Sequence, residues 1–78
     1  MTSHRIPTVE EVTAALNKRG CVIWGMQGSE AVFRRGRRFG TVPMGVDRIP
    51  LDVLRVTLGA LDIDWEDFWE ELEQSSGT

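Results

Sequence analysis

The sequence predicts an α+β domain in which helices cover one face of a three-stranded antiparallel sheet. A capping box with a helical apolar stripe opens the chain at Thr8, and short β-compatible runs split by glycine turns fill 21–43. Leucines at 51, 54, 58 and 61 then restore the helical period. At 78 residues the chain holds one small core, and 41% hydrophobic with 27% charged residues excludes a disordered or membrane-spanning composition. The domain is expected over 8–74, between a flexible lead-in at 1–7 and a flexible tail at 75–78.

Thr8 precedes Glu11 by three residues, so its hydroxyl accepts from the Glu11 amide while the carboxylate reaches back to the Thr8 amide. The helix this starts, about 8–19, sets Val9, Val12, Ala15 and Leu16 on one face. It stops at Gly20, behind Lys18 and Arg19, whose charges suit a helix C-terminus. Strands are expected at 21–26, 31–33 and 39–42, with reversals at Gln27-Gly28-Ser29 and Arg35-Gly36-Arg37. After a loop at 43–48, a second helix starts near Pro50 and carries the leucine stripe, with Gly59 as its weak point. Asp64 and Asp67 open a last short helix whose apolar face is Trp65, Phe68, Trp69 and Leu72.

Net charge is −3, but the charges are segregated. All nine Lys and Arg and only five acids fall within 1–61, and the other seven acids lie between Asp62 and Glu73. A weakly basic body thus carries an acidic C-terminal segment. No apolar run approaches the ~20 residues of a membrane helix, and the first seven residues lack a signal-peptide core, so a cytoplasmic location and no membrane partner are expected. Cys21, beside Val22 and Ile23, reads as a buried thiol. One cysteine and one histidine make no zinc site, the acids at 62–67 lack calcium-loop spacing, and no P-loop is present; neither metal nor cofactor is expected.

Along the chain stand a helix ending in Gly20, an apolar strand, Gly28-Ser29, a strand with Val32-Phe33-Arg34, then a hairpin and Thr41-Val42-Pro43. Leu54-Arg55, Leu58, Leu61 and Ile63 follow, with a finish of Glu66, Phe68 and Leu72. This order resembles the HicA family, also called YcfA-like, the small toxins of bacterial toxin-antitoxin pairs. The resemblance covers nearly the whole chain and implies a double-stranded-RNA-binding-like fold, metal-independent mRNA interferase activity and neutralisation by a HicB antitoxin. The chain departs from the family where the chemistry lies. Glu30 occupies the position of the cleaving histidine after Gly-Ser, Met44 and Gly45 stand where a further histidine is common, and Gln27 replaces a basic residue.

Metal-free RNA cleavage needs a base for the 2′-OH proton, an acid for the leaving oxygen and positive charge on the phosphate. Imidazole, with a pKa of ~6.5, suits the proton transfers, whereas a carboxylate at ~4.3 is a weaker base and repels the phosphodiester. Glu30 is the candidate catalytic residue, and His4, before Pro7, reads as an incidental surface residue. Gln27, Gly28, Ser29, Arg34, Arg35, Arg37 and Arg38 are the candidate RNA- or partner-binding residues. The arginines either hold consecutive phosphates at a hairpin tip or pair with Glu30 and the C-terminal acids. Trp65, Phe68 and Trp69 either lock the last helix onto the body or a second copy, or form an interaction face for another protein. The expected function is a HicA-like domain that binds single-stranded RNA, mRNA or a protein partner with weak or lost interferase activity. The alternatives are an active ribonuclease neutralised by a HicB-like antitoxin and an interaction module without RNA binding.

Overall fold

A computed structural model describes residues 5–76, leaving His4 outside the described residues. The elements run α1 (Val9–Lys18), β1 (Val22–Gln27), β2 (Glu30–Arg35), β3 (Arg38–Pro43), α2 (Leu51–Ala60) and α3 (Trp65–Ser76). The strands form one antiparallel sheet in the order β1-β2-β3. Helix, three-stranded sheet, helix and helix thus make the α+β domain expected.

The capping box forms as read: the Glu11 amide donates to Thr8 Oγ1 at 3.1 Å, and the Thr8 amide donates to Glu11 Oε1 at 2.9 Å. Arg5 adds a two-pronged contact to the same carboxylate. That bond and the Thr8 amide hold the Glu11 carboxyl down at about 2. The packed body begins before Thr8. Pro7 is buried, its carbonyl accepts from the Ile49 amide, and the Ile6 carbonyl accepts from Arg48.

Both strand connections are two-residue turns, Gly28-Ser29 and Gly36-Arg37, each with positive φ at the glycine alone. Such tight turns carry the ladder to the turn edges, so β2 includes Glu30, Arg34 and Arg35 and is longer than the apolar run at 31–33 suggests. The helix α3 also exceeds its predicted length. Asp64 Oδ2 accepts from the Glu66 and Asp67 amides, and no breaker stops the helix at Leu72, so Ser75 and Ser76, expected in the tail, are helical. Residues 77–78 lie outside the described residues.

One core joins the layers: Val12, Leu16, Phe33, Leu54, Leu58 and Phe68 are among its fully buried members. Cys21 belongs to it, and burial pushes its thiol pKa up. Helix α3 packs on α1, while α2 packs along β3. The second approach is close: a Cβ on Gly40 would stand 2.9 Å from Leu61 Cγ and 3.1 Å from the Thr57 carbonyl oxygen.

Candidate functional site

Strand alternation decides where the predicted site residues go, because neighbours on a strand face opposite sides. On β2, Ala31 and Phe33 face the core, Arg35 shares their side, and Glu30, Val32 and Arg34 take the other. The run Arg34-Arg35-Gly36-Arg37-Arg38 is therefore no single cluster at a hairpin tip. Only Gly36 and Arg37 form the turn, and Arg35, paired in register with Arg38, turns toward the helices.

Arg35 is committed to structure. Its guanidinium donates to the carbonyls of Arg19 at 3.3 Å, Leu61 at 3.0 Å and Asp62 at 2.9 Å. These carbonyls end α1 and α2. Both helices close in Schellman turns, with the Cys21 amide on the Leu16 carbonyl and the Ile63 amide on the Leu58 carbonyl. Arg35 takes the last carbonyls that those turns leave without a donor and places a positive charge at two negative helix ends. Its expected role as a ligand contact is corrected accordingly. Arg38 makes a loose 4.0 Å pair with Asp62. Arg34 and Arg37 are exposed and make no ion pair among the described residues.

A second correction concerns the last helix. Phe68 and Trp69 are buried in the core and are not an exposed interaction face. Trp65 is half-buried, with the Arg55 guanidinium 4.1 Å above its ring. Arg19 holds α3 to the end of α1, donating to the Asp67 carbonyl and pairing with Glu71 at 3.5 Å. The aromatic residues therefore lock the helix onto the body, one of the two roles that the sequence left open.

The unpredicted feature is the sheet face turned away from the core. Trp24 projects there from a bulge in β1, where Ile23 pairs with Phe33 and Gly25 with Val32, and meets Phe39 across the central strand. Their ring centroids are 5.4 Å apart at an interplanar angle of 79°. Arg34 is the register partner of Phe39 and Val22. Two adjoining depressions of about 380 and 310 Å³ share Gln27, Val32 and Phe39; Trp24 borders the first, and Val56 of α2 borders the second. Trp24 and Phe39 are exposed. Gln27, a sequence candidate, is thus in the site, whereas Gly28 and Ser29 form the adjoining turn.

Glu30 is exposed at the first position of β2, beside Gln27 and Pro43 in the ladder. Arg34 lies four residues along the same strand, about 13 Å away at ~3.3 Å per residue. A base and a phosphate-holding cation must converge on one phosphodiester, and these two do not. Nor does Glu30 pair with the arginines, as one reading of the sequence expected.

Among the described residues, no group of three His, Cys, Asp or Glu side chains is placed to hold a metal ion, and no helix is long and apolar enough to cross a membrane. Compared with known proteins, the chain matches no family model, no curated protein and no solved structure.

Proposed function

We propose that the chain is a HicA-like domain of toxin-antitoxin ancestry that holds single-stranded RNA on the open face of its sheet, with weak or lost cleavage. The element order, a helix and three antiparallel strands followed by a helix, fits the double-stranded-RNA-binding-like fold that the resemblance implies. The observation that carries the reading is the exposed Trp24–Phe39 pair beside Arg34. Aromatic rings on an uncovered sheet accept bases of any sequence, each stack contributing ~1–3 kcal/mol, and a guanidinium in the next register position holds the phosphate between them. The acidic helix α3 packs against α1 in the helix layer, so its carboxylates lie away from this face, where Glu30 and Arg34 stand at opposite ends of β2. Cleavage is weak or lost because a carboxylate replaces the imidazole suited to the proton transfers, and Glu30 stands far from Arg34.

A protein partner of HicB type is the second reading. Met26 and Val56 favour it, because they extend the aromatic pair into an apolar surface. The two readings separate in one experiment: fluorescence anisotropy with labelled single-stranded RNA at low salt in EDTA, with cleavage products read in parallel. Saturable binding that weakens roughly tenfold in Trp24→Ala, without cleavage, is the expected result. Absence of RNA binding overturns the first reading in favour of the second. Cleavage lost in Glu30→Gln makes the chain an active ribonuclease.

A further inference from the structure

The open face of the sheet has two unlike ends. Strand register sets Val22, Arg34 and Phe39 in a row across one end, Gly25, Val32 and Thr41 across the middle, and Gln27, Glu30 and Pro43 across the other end. The depression lined by Trp24, Val32, Phe39 and Gln27 lies between the arginine end and the glutamate end. Glu30 and Gln27 are exposed register partners, and neither side chain makes an ion pair or hydrogen bond among the described residues. On a face that holds RNA, such a carboxylate only repels unless the RNA donates hydrogen bonds to it.

The separation that keeps Glu30 and Arg34 from acting on one phosphodiester suits recognition instead. At ~3.3 Å per residue they stand about 13 Å apart along β2, comparable with the span of one nucleotide from its phosphate to the far edge of its base. With the phosphate on Arg34 and the base over Val32 against the aromatic pair, the Watson–Crick edge is directed at Gln27 and Glu30. Single-stranded RNA is read in this way, by stacking together with hydrogen bonds to the exposed base edge.

We infer that the base held there is guanine, read by Glu30 and Gln27 together. The inference rests on the proposed RNA reading and adds a base preference to it. Stacking is indifferent to sequence, so the polar end supplies the choice. Guanine's Watson–Crick edge carries one acceptor, O6, beside two adjacent donors, N1–H and N2–H. The two carboxylate oxygens of Glu30 accept from those donors in a two-pronged contact, while the Gln27 amide donates to O6. Adenine, cytosine and uracil each turn at least one acceptor, N1, N3 or O2, toward the carboxylate. The charge that makes Glu30 unsuited to cleavage thus rejects the wrong bases.

Fluorescence anisotropy at low salt tests it, with labelled oligouridylates carrying guanine, adenine, cytosine or inosine at one central position. The guanine probe is expected to bind roughly tenfold more tightly than the adenine, cytosine and all-uracil probes. Inosine is guanine without the N2 amino group, so it removes one donor and leaves the protein untouched; its probe is expected to bind several-fold more weakly than guanine. Glu30→Gln sets an amide N–H against a base donor and brings the guanine probe down to the others. Gln27→Ala lowers the preference by a smaller factor. Both positions are exposed, so the variants are expected to unfold with the parent. Trp24→Ala weakens every probe alike and reports on the RNA site apart from base choice. Equal binding of all probes, or a guanine preference that survives Glu30→Gln, overturns the inference and leaves the RNA reading intact. Absence of binding to any probe overturns both.

Discussion

Replacing Arg35 with alanine separates a structural arginine from the ligand-contacting residue that the sequence suggests. Its guanidinium makes two good bonds, at 3.0 and 2.9 Å, and a longer one at 3.3 Å, all to carbonyls at helix ends. Bonds from a charged donor contribute ~1.5–3 kcal/mol each when fully shielded, and the partly exposed setting reduces each to about 1. The charge at two helix C-termini adds ~0.3–1 kcal/mol apiece. Arg35→Ala is therefore expected to cost about 3–5 kcal/mol. A chain of this size has a stability of about 4–12 kcal/mol, so the loss is a large share and lowers the melting temperature by more than about 10 °C. Urea denaturation followed by circular dichroism measures it, with Arg34→Ala and Arg37→Ala as comparisons, each expected within about 0.5 kcal/mol of the parent. Arg35→Lys keeps the charge but loses the fork and should fall between. The reasoning is refuted if Arg35→Ala unfolds within about 0.5 kcal/mol of the parent, or if Arg34→Ala costs as much.

Three further outcomes follow from the packing. Glu11 ionises at about 2 in the folded chain because Arg5 and the Thr8 amide bind its charged form, against ~4.3 unfolded. A depressed folded pKa gives stability that is present above the unfolded value and lost as the pH falls through about 2. Arg5 is half-exposed, and solvent screening reduces the effect to about 1 kcal/mol, so parent and Glu11→Gln should differ by that much at pH 7 and converge near pH ~2 in urea titrations. Gly40→Ala forces a methyl against Leu61 and the Thr57 carbonyl; it should destabilise by about 1–3 kcal/mol in the same assay. Asp62 has φ 60 at the end of α2, where glycine is unstrained, so Asp62→Gly should raise the midpoint by about 0.5–1 kcal/mol.

The helices were legible because their signals are local. Thr8 with Glu11, Gly20 after Arg19, and Asp64 before Trp65 each satisfy backbone groups within one turn, so a few residues suffice to place an end. The placement of the arginine run is not legible locally, because neighbours in sequence need not converge in space. Alternation sends Arg34 and Arg35 to opposite faces, and which face holds the core depends on where Phe33 packs. The aromatic pair is hidden in the sequence for a related reason. Trp24 belongs to an apolar run that reads as core, and its exposure follows from a bulge and from the absence of a described layer over β1. The alternation in Arg38–Pro43 was visible, and it placed Phe39 opposite Gly40; only the pairing across β2 brings its ring to Trp24. In the last helix, three hydrophobes in five residues correctly signalled burial, and the partner that buries them, α1, was beyond local reading.

The open sheet face is the proposed place where RNA is held. Titration of the isotopically labelled chain with a short single-stranded RNA, followed by NMR, tests this directly at residue level. Concentration-dependent shifts are expected at the Trp24 indole, the Phe39 ring, Val32 and Arg34, with α1 and α3 unmoved. Shifts confined to the helix layer, or none at millimolar RNA, would contradict it.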